Sequence, residues 1–187
     1  SVLQGQEGGL DDPRIGALLV GPGLGGERVD LLEAALSSGR PLVLDGDVFG
    51  LLDDPARLHG LDAILTPHEG EFEELFGEIA GTKPERALEA ARRSRSVVIY
   101  KGPDTLVAAP DGRLAFAPPA PAWLATAGTG DVLAGITAAM RARGLEPFEA
   151  ACAAVWLHGR AAEIAGPRMI ADDLALAVPK ALTLLDG

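Results

Sequence analysis

Aromatic side chains are scarce in this sequence: five phenylalanines, two tryptophans and one tyrosine make up 4% of 187 residues. With so few rings, the interior must be filled by aliphatic side chains and abundant alanine, which suits helices packed closely on a sheet. Cysteine occurs once, at Cys152, so no internal disulfide can form and a reducing cytoplasm is the expected compartment. The apolar helical pattern around Cys152 reads as packing, not as the setting of a nucleophile. Only three histidines are present and none lies in an H-E-x-x-H arrangement, which argues against a zinc site. Basic residues are outnumbered, 16 against 27 acidic ones, for a net charge of -11. Nucleic acid and anionic membrane surfaces are therefore poor partners, since both need a basic face. No run approaches the ~18 consecutive apolar residues of a membrane helix, and the N-terminus lacks a basic-then-apolar signal pattern. Repeats, heptads and low-complexity tracts are missing as well. No G-K-[ST] occurs, which excludes a Walker A loop, and the glycines at Gly128, Gly130 and Gly135 do not have G-x-G-x-x-G spacing.

What remains, 48% hydrophobic and 23% charged, is enough to bury a core as one domain over residues 1–187. Residues 1–14 are polar and aperiodic, a loose lead-in. After them come short aliphatic runs, most followed by a polar or glycine-rich turn and then a helical pattern. Ala17–Val20 leads into Gly21-Pro22-Gly23-Leu24-Gly25-Gly26 and a helix over Val29–Leu36. Pro41–Asp45 ends in Asp45 and Asp47 before a short helix, Val48–Leu52. Ala63–Leu65 runs into Thr66-Pro67-His68-Glu69-Gly70-Glu71 and a helix carrying Phe72, Leu75 and Phe76. An amphipathic helix over Lys83–Arg93, with Ala87, Leu88 and Ala91 inward, precedes the strand Ser96–Tyr100 and the turn Lys101-Gly102-Pro103-Asp104-Thr105. Thr105–Ala109 and Arg113–Ala117 flank Pro110-Asp111-Gly112, a hairpin signal. Continuous apolar strands between helices predict an α/β fold with three α/β/α layers, a mostly parallel sheet and an antiparallel hairpin at one side.

The loops at the ends of such strands are where ligands bind, yet each reads two ways. The Gly21–Gly26 loop is a ligand edge or only a tight turn. Asp45 and Asp47 face a ligand or cap the next helix. Glu71 is a helix cap or a carboxylate facing Mg²⁺ water. Lys101 serves a nucleotide phosphate or is a solvated hairpin lysine. His158, on a long helix over Pro147–Ala165 with Ala151, Val155, Leu157 and Ala161 inward, reads as a core residue. Ala171–Val178 and Pro179–Leu185 read as two short closing helices, Pro179 taking a first-turn position.

The stretch Ala127-Gly128-Thr129-Gly130-Asp131-Val132-Leu133-Ala134-Gly135 organises the rest. Val132, Leu133, Ile136, Ala139 and Met140 share one helical face, so Gly128, Thr129 and Gly130 lie at a helix start. Amides there form an anion hole. Asp131 would repel a phosphate held by those amides. Its placement suits a hydroxyl that must lose a proton as a phosphoryl group arrives, or else a plain acid on the helix dipole.

Taken in order, Gly21-Pro22-Gly23-Leu24-Gly25, Leu44-Asp45-Gly46-Asp47, Thr66-Pro67-His68-Glu69-Gly70-Glu71, Lys101-Gly102 with Thr105, and Ala127 to Gly135 resemble the ADP-dependent NAD(P)H-hydrate dehydratases of the ribokinase-like superfamily. The resemblance runs from about Leu18 to Leu182. It implies a ribokinase-like fold and a lyase that repairs nicotinamide cofactor: the S epimer of hydrated NADH or NADPH loses water while ADP becomes AMP and phosphate, with Mg²⁺ present. It further implies Asp131 as catalytic base; Gly23, His68 and Asp131 at the hydrated cofactor; Lys101, Gly102, Pro103, Asp104, Thr105 and Gly130 at the nucleotide; and metal ligands unassigned. An epimerase domain or partner and a homo-oligomer accompany this expectation. Three departures are visible: Gly46 in place of a common Ala, Trp123-Leu124 in place of a Gly-Met pair, and no counterpart of the family's front half-domain. A small-molecule kinase of the same superfamily, or a truncated nucleotide-binding module without turnover, are the alternatives.

Overall fold

Four aliphatic runs form parallel strands because each is apolar on both faces and bounded by Gly, Pro or Asp. In the computed structural model, which describes residues 10, 12–25 and 28–185, they are β1 (Leu18–Val20), β2 (Leu42–Leu44), β3 (Ala63–Leu65) and β4 (Val97–Tyr100). β5 (Leu106–Ala108) and β6 (Leu114–Phe116) follow as the expected hairpin. The six strands lie side by side in chain order, β1 to β4 parallel, β5 and β6 antiparallel. Most of the lead-in, and Gly26 and Glu27 of the first glycine loop, lie outside the described residues.

Alternation along the strands creates two cores. Leu42, Leu44, Leu65, Val98, Tyr100 and Leu106 point to one face. There they meet α1 (Val29–Leu36), α2 (Val48–Leu51), α3 (Glu69–Phe76) and α4 (Lys83–Ser94). Val43, Ile64, Ile99 and Val107 point to the other, against α5 (Thr129–Ala142), α6 (Pro147–Ala165) and α7 (Ala171–Leu182). This is the three-layer architecture the pattern predicts. The buried rings, Phe49, Phe72, Phe76 and Tyr100, all lie on the first face, where Phe72 stacks on Tyr100 with centroids 4.1 Å apart. The second layer uses Ala150, Ala151, Ala154, Ala161 and Ala162 instead, all buried. Small side chains bring α6 close to the sheet and to its helical neighbours.

Three expectations are corrected. α7 runs unbroken through Pro179, because Leu174, Ala177 and Ala181 on both sides of it are buried in one core, and that packing outweighs the lost hydrogen bond. Only a short 3₁₀ turn, Thr183–Leu185, follows. On α5, Ala139 is exposed, whereas Thr137 and Arg141 are buried. α5 touches the sheet and two helices at once, so its covered surface is wider than one stripe, and Arg141 pairs with Asp62. Cys152 is half-buried rather than enclosed, and burial pushes its thiol pKa up. No described helix is long and apolar enough to cross a membrane.

Candidate active site

All four parallel strands deliver their C-terminal ends to one edge of the sheet, where the predicted loops converge. The approach of the first two is very close. A Cβ on Gly21, whose φ is +134°, would lie 1.4 Å from the Asp45 carbonyl oxygen, so only glycine fits. Gly25 N–H donates to Asp47 Oδ2 at 2.9 Å, and Asp47 makes no side-chain cap to α2. The second acid therefore ties the glycine loop to β2, and Gly23 sits exposed at the loop's turn with φ +68°.

Asp45 is only 1% exposed. A buried carboxylate needs partners, and Oδ1 accepts from Thr66 Oγ1 and from Lys101 Nζ, both at 2.7 Å. Lys101 Nζ also lies 3.4 Å from Glu71 Oε2. Glu71 takes the helix-cap role. It forms a capping box with His68, whose N–H donates to Glu71 Oε2 at 2.7 Å while Nδ1 accepts from Glu71 N–H at 3.2 Å. It also balances the lysine. The His68 ring is largely exposed at this edge.

Lys101 is not a solvated hairpin lysine: its ammonium lies 3.3 Å from where a Cβ on Gly130 would stand. β4 and the start of α5 meet there. The rest of the Lys101–Thr105 turn is closed on itself, Gly102 N–H donating to Thr105 Oγ1 at 3.1 Å and Thr105 Oγ1 to Gly102 O at 2.7 Å. Asp104 pairs with Lys83, and the hydrogen bond from that ammonium lowers its carboxyl pKa; Pro103 is exposed.

At the first turn of α5, Gly128 takes a left-handed φ of +83°. Thr129 is buried; its hydroxyl donates to Leu124 O at 2.7 Å and Thr126 O at 2.8 Å, and its N–H to Thr126 O at 3.3 Å. Among the described residues the N–H groups of Gly130 and Asp131 have no partner, the usual condition of a helix start. The Asp131 side chain is exposed beside them. The departure at Trp123 is absorbed by packing, since its Nε1–H donates to Ala162 O at 3.0 Å on α6.

His158 on α6 completes the edge, with Nε2 2.9 Å from the Thr129 carbonyl. Burial pushes its pKa down to about 4, and the nearby Lys101 charge acts in the same direction. Neutral at pH 7, it donates Nε2–H to that carbonyl. The unfolded chain titrates near 6.5, so as pH falls from 6.5 towards 4 the unfolded state takes up a proton that the folded state refuses. The stability present above 6.5 is lost through that window. In urea unfolding, His158→Gln is expected to lose less stability than the wild type between about pH 7 and about pH 4.5. Equal losses would contradict the shift.

No cluster of three or more His, Cys, Asp or Glu able to hold a metal ion occurs among the described residues. Mg²⁺ carried by nucleotide phosphates with its own water would need one or two carboxylates at most, and Glu71, beside Lys101, is one such group. Such an ion would supply positive charge where the nearby lysine is already balanced by two acids.

Comparison with known proteins agrees with the converging loops. The family described as NAD(P)H-hydrate dehydratase matches residues 4–182. The chain belongs to the NAD(P)H-hydrate dehydratase family. A bifunctional NAD(P)H-hydrate repair enzyme of Salinibacter ruber is 41% identical over 179 residues, 88% of this chain and 33% of that protein. The ADP-dependent (S)-NAD(P)H-hydrate dehydratase of Neisseria meningitidis is 39% identical over 163 residues, 80% of this chain and 55% of that protein. The ADP/ATP-dependent NAD(P)H-hydrate dehydratase of Bacillus subtilis, co-crystallised with ATP and Mg²⁺ and soaked with CoA, superposes with a TM-score of 0.78 at 31% identity, covering 90% of this chain and 66% of that one. The chain thus spans about a third to somewhat over half of the curated relatives it matches. The layered fold is the ribokinase-like one.

The structure brings Lys101 and Gly130, the residue before Asp131, together with Glu71 and His68, and sets the glycine loop beside them through Asp45. Asp104 pairs with Lys83, which also donates to the Lys101 carbonyl at 3.2 Å. The sequence alone gives no firm role to Asp45, Thr66 or His158. A carboxylate directly following a buried strand is the available signal for Asp45, while nothing local marks the other two.

Proposed function

We propose that this chain carries the family's dehydratase chemistry: removal of water from the S epimer of hydrated NADH or NADPH, driven by conversion of ADP, or ATP, to its product with one phosphate fewer. One observation carries the reading: an exposed carboxylate, Asp131, stands on the same helical turn as two unpartnered amides, with a lysine against that turn. An acid beside an anion-binding turn is poorly suited to phosphate storage and well suited to phosphoryl transfer onto a hydroxyl.

Hydroxide is a poor leaving group. Asp131 takes the proton from the hydroxyl on the hydrated ring, whose oxygen forms a bond to the terminal phosphorus of the nucleotide as the bond to the departing nucleotide breaks. The Gly130 and Asp131 amides hold the charge that develops on the phosphoryl oxygens. Lone-pair electrons of the ring nitrogen then expel phosphate, and loss of a proton from the neighbouring carbon restores the double bond. Gly23 and His68 face the hydrated cofactor in this reading, and the Lys101–Thr105 turn takes the nucleotide. The other epimer requires an epimerase in a further domain or partner, an arrangement consistent with bifunctional relatives.

Incubation with hydrated NADH, ADP and Mg²⁺ tests the proposal. Recovery of nicotinamide absorbance in step with phosphate release is expected. Accumulation of a stable phosphorylated product would instead establish a kinase, and nucleotide binding with neither product would exclude both.

A further inference from the structure

His158 lies outside the groups that the proposed chemistry uses, yet it makes one well-aimed contact into the site. Its Nε2 meets the Thr129 carbonyl at 2.9 Å. That carbonyl and the Gly130 N–H belong to one planar peptide unit, and in a trans peptide they point in opposite directions. Fixing the oxygen therefore fixes where the Gly130 N–H points. Gly130 needs such a constraint, because a glycine imposes little conformational preference of its own on the backbone.

α6 is a firm base for it. Ala154, Ala161 and Ala162 are fully buried, and Ala162 accepts the Trp123 indole N–H at 3.0 Å. Positions 158 and 162 are one helical turn apart on one face. α6 thus grips the phosphate turn at two points, ahead of it through Trp123 and at its first helical residue through His158.

We infer that His158 is a positioning residue, whose Nε2–H holds the Thr129 carbonyl so that the Gly130 amide is aimed at the incoming phosphoryl group. This inference rests on the proposed dehydratase reading for its effect on rate, though the contact itself does not. A neutral imidazole fits this role, because one N–H donates and a second positive charge beside Lys101 is avoided. His158→Gln keeps a donor near the Nε2 position, whereas His158→Leu removes it at similar bulk.

Both variants are compared with the wild type for thermal unfolding, for kcat and nucleotide KM with hydrated NADH and ADP, and for amide hydrogen exchange over residues 129–132. His158→Leu is expected to lose about tenfold in kcat with nucleotide KM changed less than about threefold, since a misaimed donor weakens transition-state stabilisation more than binding. His158→Gln is expected to recover most of the rate. Exchange at Val132, whose N–H donates to Gly128 O at 3.3 Å in the same turn, should be faster in the Leu variant than in the Gln variant, both folded. A folded Leu variant with kcat within about twofold of wild type, or a Gln variant as slow as the Leu variant, overturns the inference. Should the wild type show no turnover, the dehydratase reading fails by itself. Exchange then decides alone: faster in Leu than in Gln supports the positioning contact, and equal exchange overturns it.

Discussion

Asp131→Asn is expected to lower turnover at least ~100-fold, the usual contribution of a positioned general base, while leaving nucleotide affinity largely intact. The amide keeps the size of the side chain and its place in the first turn of α5, but it cannot take a proton from a hydroxyl at neutral pH. It also removes a negative charge from a helix start, which lessens repulsion of phosphate. Nucleotide affinity should therefore hold or rise as rate falls, a divergence that loss of folding would not produce. Rates from nicotinamide absorbance and affinities from calorimetry check it. An unchanged rate would leave Asp131 as a carboxylate on the helix dipole and remove the main support for the enzymatic reading.

Gly21→Ala is expected to destabilise the protein by about 3–5 kcal/mol, combining backbone strain with a steric clash. The φ of +134° is one that L side chains rarely adopt, and the added carbon would stand 1.4 Å from the Asp45 carbonyl oxygen. Because the obstacle is backbone, relief requires the end of β2 to move, and with it the carboxylate that holds Lys101. Gly23→Ala provides the contrast. Its φ is +68° with nothing within 4 Å of the added carbon, so it should lose only about 1 kcal/mol. Urea unfolding of the two variants separates them, and near-equal losses would refute the close approach.

The strands and most helices are legible in the sequence because each is a local pattern: Leu42–Leu44 or Val97–Tyr100 is apolar on both faces and closed by residues that end strands. The proline start and the spacing of α6 give its observed bounds, Pro147–Ala165. Local rules fail where a long-range contact overrides them. Pro179 continues a helix because its neighbours on both sides are held in one core. Arg141 is buried because Asp62, far away in the chain, meets it. The site follows the same division. Its glycine loops and Asp131 can be found by spacing, whereas the Asp45–Lys101 pair joins residues 56 positions apart and His158 reaches Thr129 across 29. No short window contains those pairs.

The order of strands across the sheet is also their order along the chain. During synthesis each new strand can therefore dock on the one made just before it, closing short loops and burying one face with α1 to α4 as it goes. The helices that cover the opposite face, α5 to α7, all follow the last strand. Lys101 and its two acids can be in place while the turn that carries Asp131 has yet to be made. The molecule can assemble the edge that holds Lys101 first and the turn with the proposed base late, so an interrupted chain would present that edge without Asp131.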